Sequence, residues 1–465
     1  ENLEVKIMAD VKYQHPEYQE ALPRWTMTRL AATPNGIKKE GIKYLPKGAD
    51  KDDAKYATYK MRALFLGVTG RTKSALTGSV FRKEPSFAED LPEALEFINT
   101  DIDGEGMGIN QVAKRMVSEI QVAGRNGILV DFPSVPEGAS REDEMRMGVK
   151  PYAASYNAEA IINWETTKVN GTNKLSMVVL REVGYQSKDG DVFAREQVIQ
   201  YRALMLVDGL YENRLYDDEG EVIETFEPKL NNSRMDYIPF FFTGSEDNKP
   251  CVDDIPLEAI AEINIGHYRN SADLEKNAYI HNGGTLSITT SMSPEEWAAM
   301  NPNGILIGAD QGVFLGDNGK MELHQLGESQ ISLVMMKAKE DQMVSIGARL
   351  ITTSAINETA EAARIAASSE TSVLSTIVGN VEDTLNKVVA LMAEFVKAEP
   401  VRYTLNRDFF DSTLTAQEWM AANVSADRGD IAQKDLRAML RKAGILDADR
   451  SDKDIDSENM SNSPV

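Results

Sequence analysis

The sequence predicts a mixed α+β protein built from more than one domain. Three observations carry that expectation. A helix-period segment feeds a short apolar run between Met107 and Pro133. Alternating segments separated by turn residues fill 174–243. Three long helix-period stretches follow, separated by a small β-rich insert and by a break. At 465 residues the chain exceeds what one compact core usually holds, so two or more domains are expected.

Along the chain, residues 1–56 scatter Pro, Gly and charge and read as an arm with short helical pieces. From Ala57 to Leu76 the period is helical, with Met61, Leu64, Phe65 and Val68 on one side. Leu91 to Ile98 reads as another short helix. In the next helix Val112, Met116, Ile120 and Val122 share one face, Asn110 can cap it, and Gly124 sits where it should stop. Ile128-Leu129-Val130 then has the pattern of a buried strand, ended by Asp131 and Pro133, and a Pro-, Gly- and charge-rich loop covers 134–148. The turn signals Lys188-Asp189-Gly190, Asp208-Gly209 and Asp217–Gly220 divide an antiparallel meander, and Tyr237 to Thr243 adds a strand-like run.

A long helix is expected from about 254 to 284, capped by Asp253 or Asp254 with Pro256 in its first turn and stopped at Asn282-Gly283-Gly284. Ser293 and Pro294 should open a short helix, and Asn303-Gly304 and Asp317-Asn318-Gly319 flank strand-like Ile305–Ile307 and Gly312–Leu315. A second long helix covers 327–350, and the polar, β-branched stretch 351–357 breaks it. A third runs from Glu358 to Lys397 and ends before Pro400, with Gly379 as a possible bend. Residues 401–446 read as helical again, and the Asp-, Ser- and Asn-rich 447–465 as disordered.

Composition narrows the function. With 73 acidic against 50 basic residues the net charge is −23, which disfavours a tight grip on nucleic acid. It is compatible with an acidic surface that lets a polyanion pass. No apolar run approaches the roughly 18 residues of a membrane span, and no basic-then-apolar signal opens the sequence at Glu1. Cys251 is the single cysteine, so an internal disulfide and a thiolate cluster are both excluded, and a reducing place of synthesis is expected.

Apparent chemical motifs fail on inspection. Gly67–Ser74 imitates a phosphate loop but lacks the Gly-Lys-Ser/Thr ending and the preceding strand. Asp101-Ile-Asp-Gly-Glu-Gly106 imitates a calcium loop, but Val112 stands where the bidentate Glu belongs, so an Asx-stiffened turn is expected instead. His15, His267, His281 and His324 show no metal spacing. Trp164 and Phe240-Phe241-Phe242 read as core. No catalytic group, cofactor or metal is expected.

Several ordered strings together resemble a bacteriophage portal-protein family. They are Met61–Leu66, Val80-Phe-Arg-Lys-Glu-Pro85, Asp101–Gly104, Gly124-Arg-Asn-Gly-Ile-Leu-Val-Asp-Phe-Pro133 and Tyr156-Asn-Ala-Glu-Ala-Ile-Ile-Asn-Trp164. The resemblance spans roughly 57–395. It implies a portal fold: an arm and α/β wing over 1–253, a first stem helix over 254–284, a small α/β clip over 285–326 and a second stem helix over 327–350. A tunnel loop over 351–357, a long wing helix over 358–400, a helical crown over 401–446 and an acidic tail over 447–465 complete it. Its tunnel loop would be Ile351, Thr352, Thr353, Ser354, Ala355, Ile356 and Asn357. Channel basic rings would come from Lys337, Lys339 or Arg349, and clip contacts from Asn303, Gly304, Asp317 and Asn318. The implied function is a ring, usually dodecameric, at one capsid vertex of the virion, assembled in the host cytoplasm. Double-stranded DNA would pass through it, with the terminase large subunit, major capsid protein and head-tail adaptor or tail proteins as partners and no membrane. The alternatives are another oligomeric viral structural protein, such as a connector or scaffold, or an enzyme with an unrecognised site.

Overall fold

The computed structural model describes residues 10–48, 52–132, 149–231, 233–283, 285–302, 304, 314–324, 330–350, 372–407 and 409, then 424, 426, 428, 432–442, 446 and 450–461. It mixes helix and sheet and divides into two compact units, one of 1–77 with 85–404 and one of 78–84 with 405–465.

The first unit opens with α1 (Pro16–Ala32). Pro16 presets the first turn, and the His15 ring nitrogen accepts the Glu17 N–H as a cap. The expectation of an arm is overturned here. Tyr18, Ala21, Trp25 and Thr28 repeat at three- and four-residue spacing and are buried, Trp25 completely. Arg29 fixes the helix to its neighbours: it donates to both oxygens of Glu159 at 2.7 Å and to both of Glu119, one at 3.0 Å. Glu119 is 8 % exposed, so losing the guanidinium strands a carboxylate in the core. Arg29→Met is therefore expected to cost about 2–4 kcal/mol in urea unfolding, with Arg29→Lys recovering only part because an ammonium cannot fork between two carboxylates.

After α2 (Gly36–Glu40), the single helix expected over 57–76 is two, α3 (Asp53–Arg62) and α4 (Val68–Val80). Polar groups of a later helix hold the break: Asn264 donates to Leu66 O at 2.7 Å, and Ser271 Oγ accepts Leu64 N–H at 3.1 Å. Met61 and Leu64, expected to pack with Phe65, are instead exposed. The two-residue β1 (Ser86–Phe87) follows, then the short helix expected over 91–98, which is a 3-10 helix, Glu93–Asn99. The calcium-like segment is an Asx turn: Asp101 accepts Gly106 N–H, and Asp103 accepts those of Glu105 and Met107.

Helix α5 (Ile109–Ala123) is capped at Gly108 rather than Asn110, whose side chain accepts the Tyr403 hydroxyl instead. It ends at Gly124, whose φ of 65° suits glycine. The chain then enters β2 (Arg125–Asp131), the centre of a three-stranded antiparallel sheet with β3 (Tyr152–Asn157) on one side. The meander is five antiparallel strands in sequential order: β4 (Ile161–Val169), β5 (Thr172–Ser187), β6 (Arg195–Val207), β7 (Leu210–Tyr216) and β8 (Val222–Phe226). It starts earlier than read. The short β9 (Lys229–Leu230) and β10 (Ser233–Arg234) pair with each other. The expected strand near Tyr237 is β11 (Phe240–Gly244), which pairs with β2 and not with the meander. Its alternate Phe240 and Phe242 are buried.

Helix α6 is Glu258–Gly283. Asp253 does not cap it. That carboxylate accepts the Glu246 and Asp247 N–H groups, while Asp254 contributes its carbonyl to Ser245 Oγ. Then come β12 (Thr285–Thr289), α7 (Pro294–Met300), β13 (Lys320–His324), α8 (Ile331–Arg349) and α9 (Val373–Val396). The continuous helix expected over 358–397 is interrupted, because Ser372 is extended and its hydroxyl caps α9 by accepting Ser375 N–H. Residues 358–371 lie outside the described ones. Helix α9 buries Leu374, Ile377, Val381, Leu385, Val388 and Met392, and β14 (Tyr403–Thr404) closes the unit by pairing with β1.

In the second unit, α10 (Gln433–Lys442) and α11 (Asp452–Ser461) are held together by ion pairs from Arg437 to Asp456 and from Arg441 to Asp452. Helix over 452–461 corrects the disordered tail: two arginines one turn apart on α10 meet two aspartates one turn apart on α11.

Candidate functional site

Helices α6 and α8 pack against each other, and the chain between them folds as a tip. The first half of α6 is built into the core through Ile260, Ala261, Ile265, Tyr268 and Ala272, while Asp273 and Tyr279 farther along are exposed. Arg62 lies 3.5 Å over the Tyr279 ring. At the tip β12 and β13 pair antiparallel from Thr285↔His324 to Thr289↔Lys320, and Ser293 forms a complete capping box with Glu296 at the start of α7. Asn301 ties the far end of α7 to Phe314, donating to its carbonyl and accepting its N–H.

Of the clip residues read from sequence, Gly304 and Asn318 have φ of 63° and 59°, Asp317 offers its carbonyl to Ser291 Oγ, and Asn303 lies outside the described residues. The strand-like 305–307 also lies outside them, and the β12–β13 pair was not anticipated.

Helix α8 presents two faces. Met336, Lys339 and Met343, at three- and four-residue spacing, turn inward, with Met343 buried. On the opposite stripe Ile331, Val334, Lys337, Asp341 and Val344 are all exposed. Ile331 and Val344 expose 73 % and 71 % of their surface, which no isolated soluble helix needs.

Lys339 does not belong with a channel ring in this arrangement. Its ammonium donates to Gly266 O at 3.0 Å and to the Asn270 side chain, both on α6. Burial lowers its pKa, with Arg269 adding to the effect. Nearby the buried His267 Nε2 meets Glu340 at 3.0 Å. Lys337 is exposed, the Arg349 side chain lies outside the described residues, and so does the whole stretch 351–357.

A second feature was missed from the sequence except as part of a motif. Arg125, at the start of β2, is 1 % exposed, and none of its three guanidinium nitrogens has a hydrogen-bond partner among the described residues. The group is sandwiched 3.8 Å from the Trp164 ring and 4.5 Å from that of Phe242, and His15 stacks on Trp164 at 4.0 Å. Trp164, Phe242, His15, Glu17 and Cys251 also line a cleft of about 710 Å³. Burial pushes the Arg125 pKa down to about 9, against the opposing pull of Glu17 and Asp253.

Two stacking contacts of about 1–2 kcal/mol each do not match a desolvation cost of several kcal/mol. Arg125→Met is thus expected to stabilise the fold by about 1–3 kcal/mol at pH 7. Because the folded pKa lies below the unfolded one, the cost is fully present below about pH 9 and fades as pH rises beyond it. Urea midpoints of both proteins at pH 7 and pH 10 check this: the advantage of Met should shrink at the higher pH.

Among the described residues no group of three or more His, Cys, Asp or Glu side chains is placed to hold a metal, and no helix is long and apolar enough to cross a membrane.

Residues 256–396, the segment from the start of α6 through α9, match a family model described as a domain of unknown function (DUF4055). No curated protein matches. Among solved structures, the chain is similar to one in "Virion of native gene transfer agent (GTA) particle", at 11 % identity and a TM-score of 0.44, over 88 % of this chain and 99 % of that one. It is also similar to one in "Neck of empty GTA particle computed with C6 symmetry", at 12 % identity and a TM-score of 0.43, over 86 % and 96 %. A third lies in "Neck of native GTA particle computed with C12 symmetry", at 12 % identity and a TM-score of 0.42, over 82 % and 91 %.

Proposed function

We propose that this chain is a non-enzymatic portal subunit of a tailed phage or phage-like particle. It closes with copies of itself, about twelve of them, into a ring at one capsid vertex of the virion, and duplex DNA passes through the ring during packaging and ejection. The observation that carries this reading is the α6–α8 pair with its β12–β13 tip. The pair leaves Ile331, Leu333, Val334, Met335 and Val344 of α8 exposed in the single subunit, and a ring buries such apolar side chains against its neighbours. The ordered motifs quoted above point the same way.

In this reading α6 and α8 are the stem, 285–326 the clip, 351–357 the tunnel loop and α9 the wing helix. The clip would dock the terminase large subunit and later an adaptor or tail protein, and the wing would face the major capsid protein. The net charge of −23 fits a bore that is mainly acidic and so repulsive toward phosphate. Lys337 and Arg349 remain the candidates for a transient basic ring, while Lys339 is held by α6. Deletion of 302–319 tests the docking role through an in vitro packaging assay. Soluble protein that forms weakened rings, docks no motor and packages no DNA is expected, and normal packaging would overturn the assignment of the tip.

A further inference from the structure

Helix α6 is covered on two opposite faces. Ala261, Ile265, Tyr268 and Ala272 make one face, buried in a core with Tyr56 and Tyr59 of α3. Ile260, Gly266, His267 and Asn270 make the other and meet α8. There Lys339 donates to Gly266 O and to Asn270, Glu340 meets His267, and Gly347 lies close to Ile260. At about 100° per residue the two sets stand roughly half a turn apart, so α3 and α8 lie on opposite sides of α6.

The outer side of each covering helix is bare. On α3, Tyr56 and Tyr59 turn inward, and the opposite stripe is Ala54, Ala57 and Met61, all exposed, Met61 at 72 %. Leu64, just past the helix, is 60 % exposed. A solvated helix face normally carries charge, and this stripe carries none. On α8 the outward side centres on Val334, with Ile331 beside it. The two charges there, Lys337 and Asp341, are spaced to offset each other along the helix.

The two patches stand at one height on α6. The Tyr59 hydroxyl donates to Asp273 at 2.7 Å, and Leu64 N–H to Ser271 Oγ. Helices α6 and α8 run antiparallel, because Lys339 meets Gly266 and Asn270 while Gly347 meets Ile260. Val334 lies about 7.5 Å before Lys339 along α8, which sets it beside the α6 residues around Asp273. Rotation about an axis along these helices preserves that height. It carries the α8 patch of one copy onto the α3 patch of the next without a slide, and a closed ring leaves neither patch uncovered. Small residues at Ala54 and Ala57 let a second helix approach closely.

We propose that the Val334 side of α8 packs against the Ala54, Ala57 and Met61 side of α3 in a second copy of this chain. This contact presupposes the ring reading and names the surface that covers α8.

Cysteine pairs test it in full-length chains carrying Cys251→Ser. Met61→Cys is combined with Val334→Cys or, about one turn along, with Ile331→Cys. All three positions are exposed in the subunit, so its fold should be unaffected. Two helix spacings of about 8–10 Å each separate α3 from α8 within one chain. A disulfide requires Cα atoms within about 7 Å, so a bond between the paired positions must join two chains. Covalent ladders beyond the dimer are expected from at least one pair after mild oxidation, and no bond from any single substitution. A dimer formed by Val334→Cys alone would mean that α8 faces α8, and would overturn the contact. Ala57→Arg should raise the concentration at which rings dissociate at least about tenfold. Rings of full mass that give no ladder with either pair, or Ala57→Arg rings as tight as the unaltered ones, would overturn this contact and leave the ring reading standing. An unaltered chain that stays monomeric would overturn the ring reading and this inference with it.

Discussion

Val334→Glu combined with Val344→Glu should convert the assembled protein into soluble monomers. Both valines lie on the outward stripe of α8 and are largely exposed in the single chain. Burying each against a neighbour would contribute about 1.5–3 kcal/mol of hydrophobic stabilisation at every interface. A buried, unpaired carboxylate instead costs several kcal/mol, and ring symmetry repeats that cost at each contact. The fold of the subunit should be untouched, because exposed positions usually shift stability by no more than about 0.5 kcal/mol. Light scattering would show the loss of mass, and an unchanged urea midpoint would show that the subunit itself is intact. A variant that still assembles would place the interface elsewhere.

Trp25→Ala should be the most damaging single change to the subunit, at about 3–5 kcal/mol in urea unfolding. The ring is fully buried, and Tyr18 meets it edge-on with centroids 5.6 Å apart. Its Nε1 has no hydrogen-bond partner among the described residues, so the loss is one of packing and cavity formation, and Trp25→Phe should recover much of it. If residues 1–56 were a loose arm, the substitution would change stability by less than about 0.5 kcal/mol.

The contrast between these two sites shows what the sequence makes legible. The run from α5 into β2 could be read because the apolar period switches from helix to strand across Gly124. The meander could be read because turn residues punctuate alternating segments. Helix α1 was less legible although Tyr18, Ala21, Trp25 and Thr28 carry a helical period, because Pro23 lies inside it and charged residues flank that stripe. The interruption before α9 had a visible signal in Ser372 ahead of an apolar run, but the Ala-rich stretch before it also favours helix.

The candidate site was less legible for a physical reason. Lys339 looks like any solvated lysine until α6 supplies Gly266 O and Asn270, 73 and 69 residues earlier. Arg125 sits in a readable motif, yet its burial depends on Trp164 and Phe242 arriving from two other strands. Helix α11 depended in the same way on ion pairs from α10, which no local composition reveals.

A ring with a bore is a shape that can be seen. Negative-stain images of the purified full-length protein, viewed down the symmetry axis, test it most directly. Closed rings of about twelve subunits with a central hole wide enough for duplex DNA are expected. A field of monomers or dimers, or of assemblies with no axial opening, would contradict it.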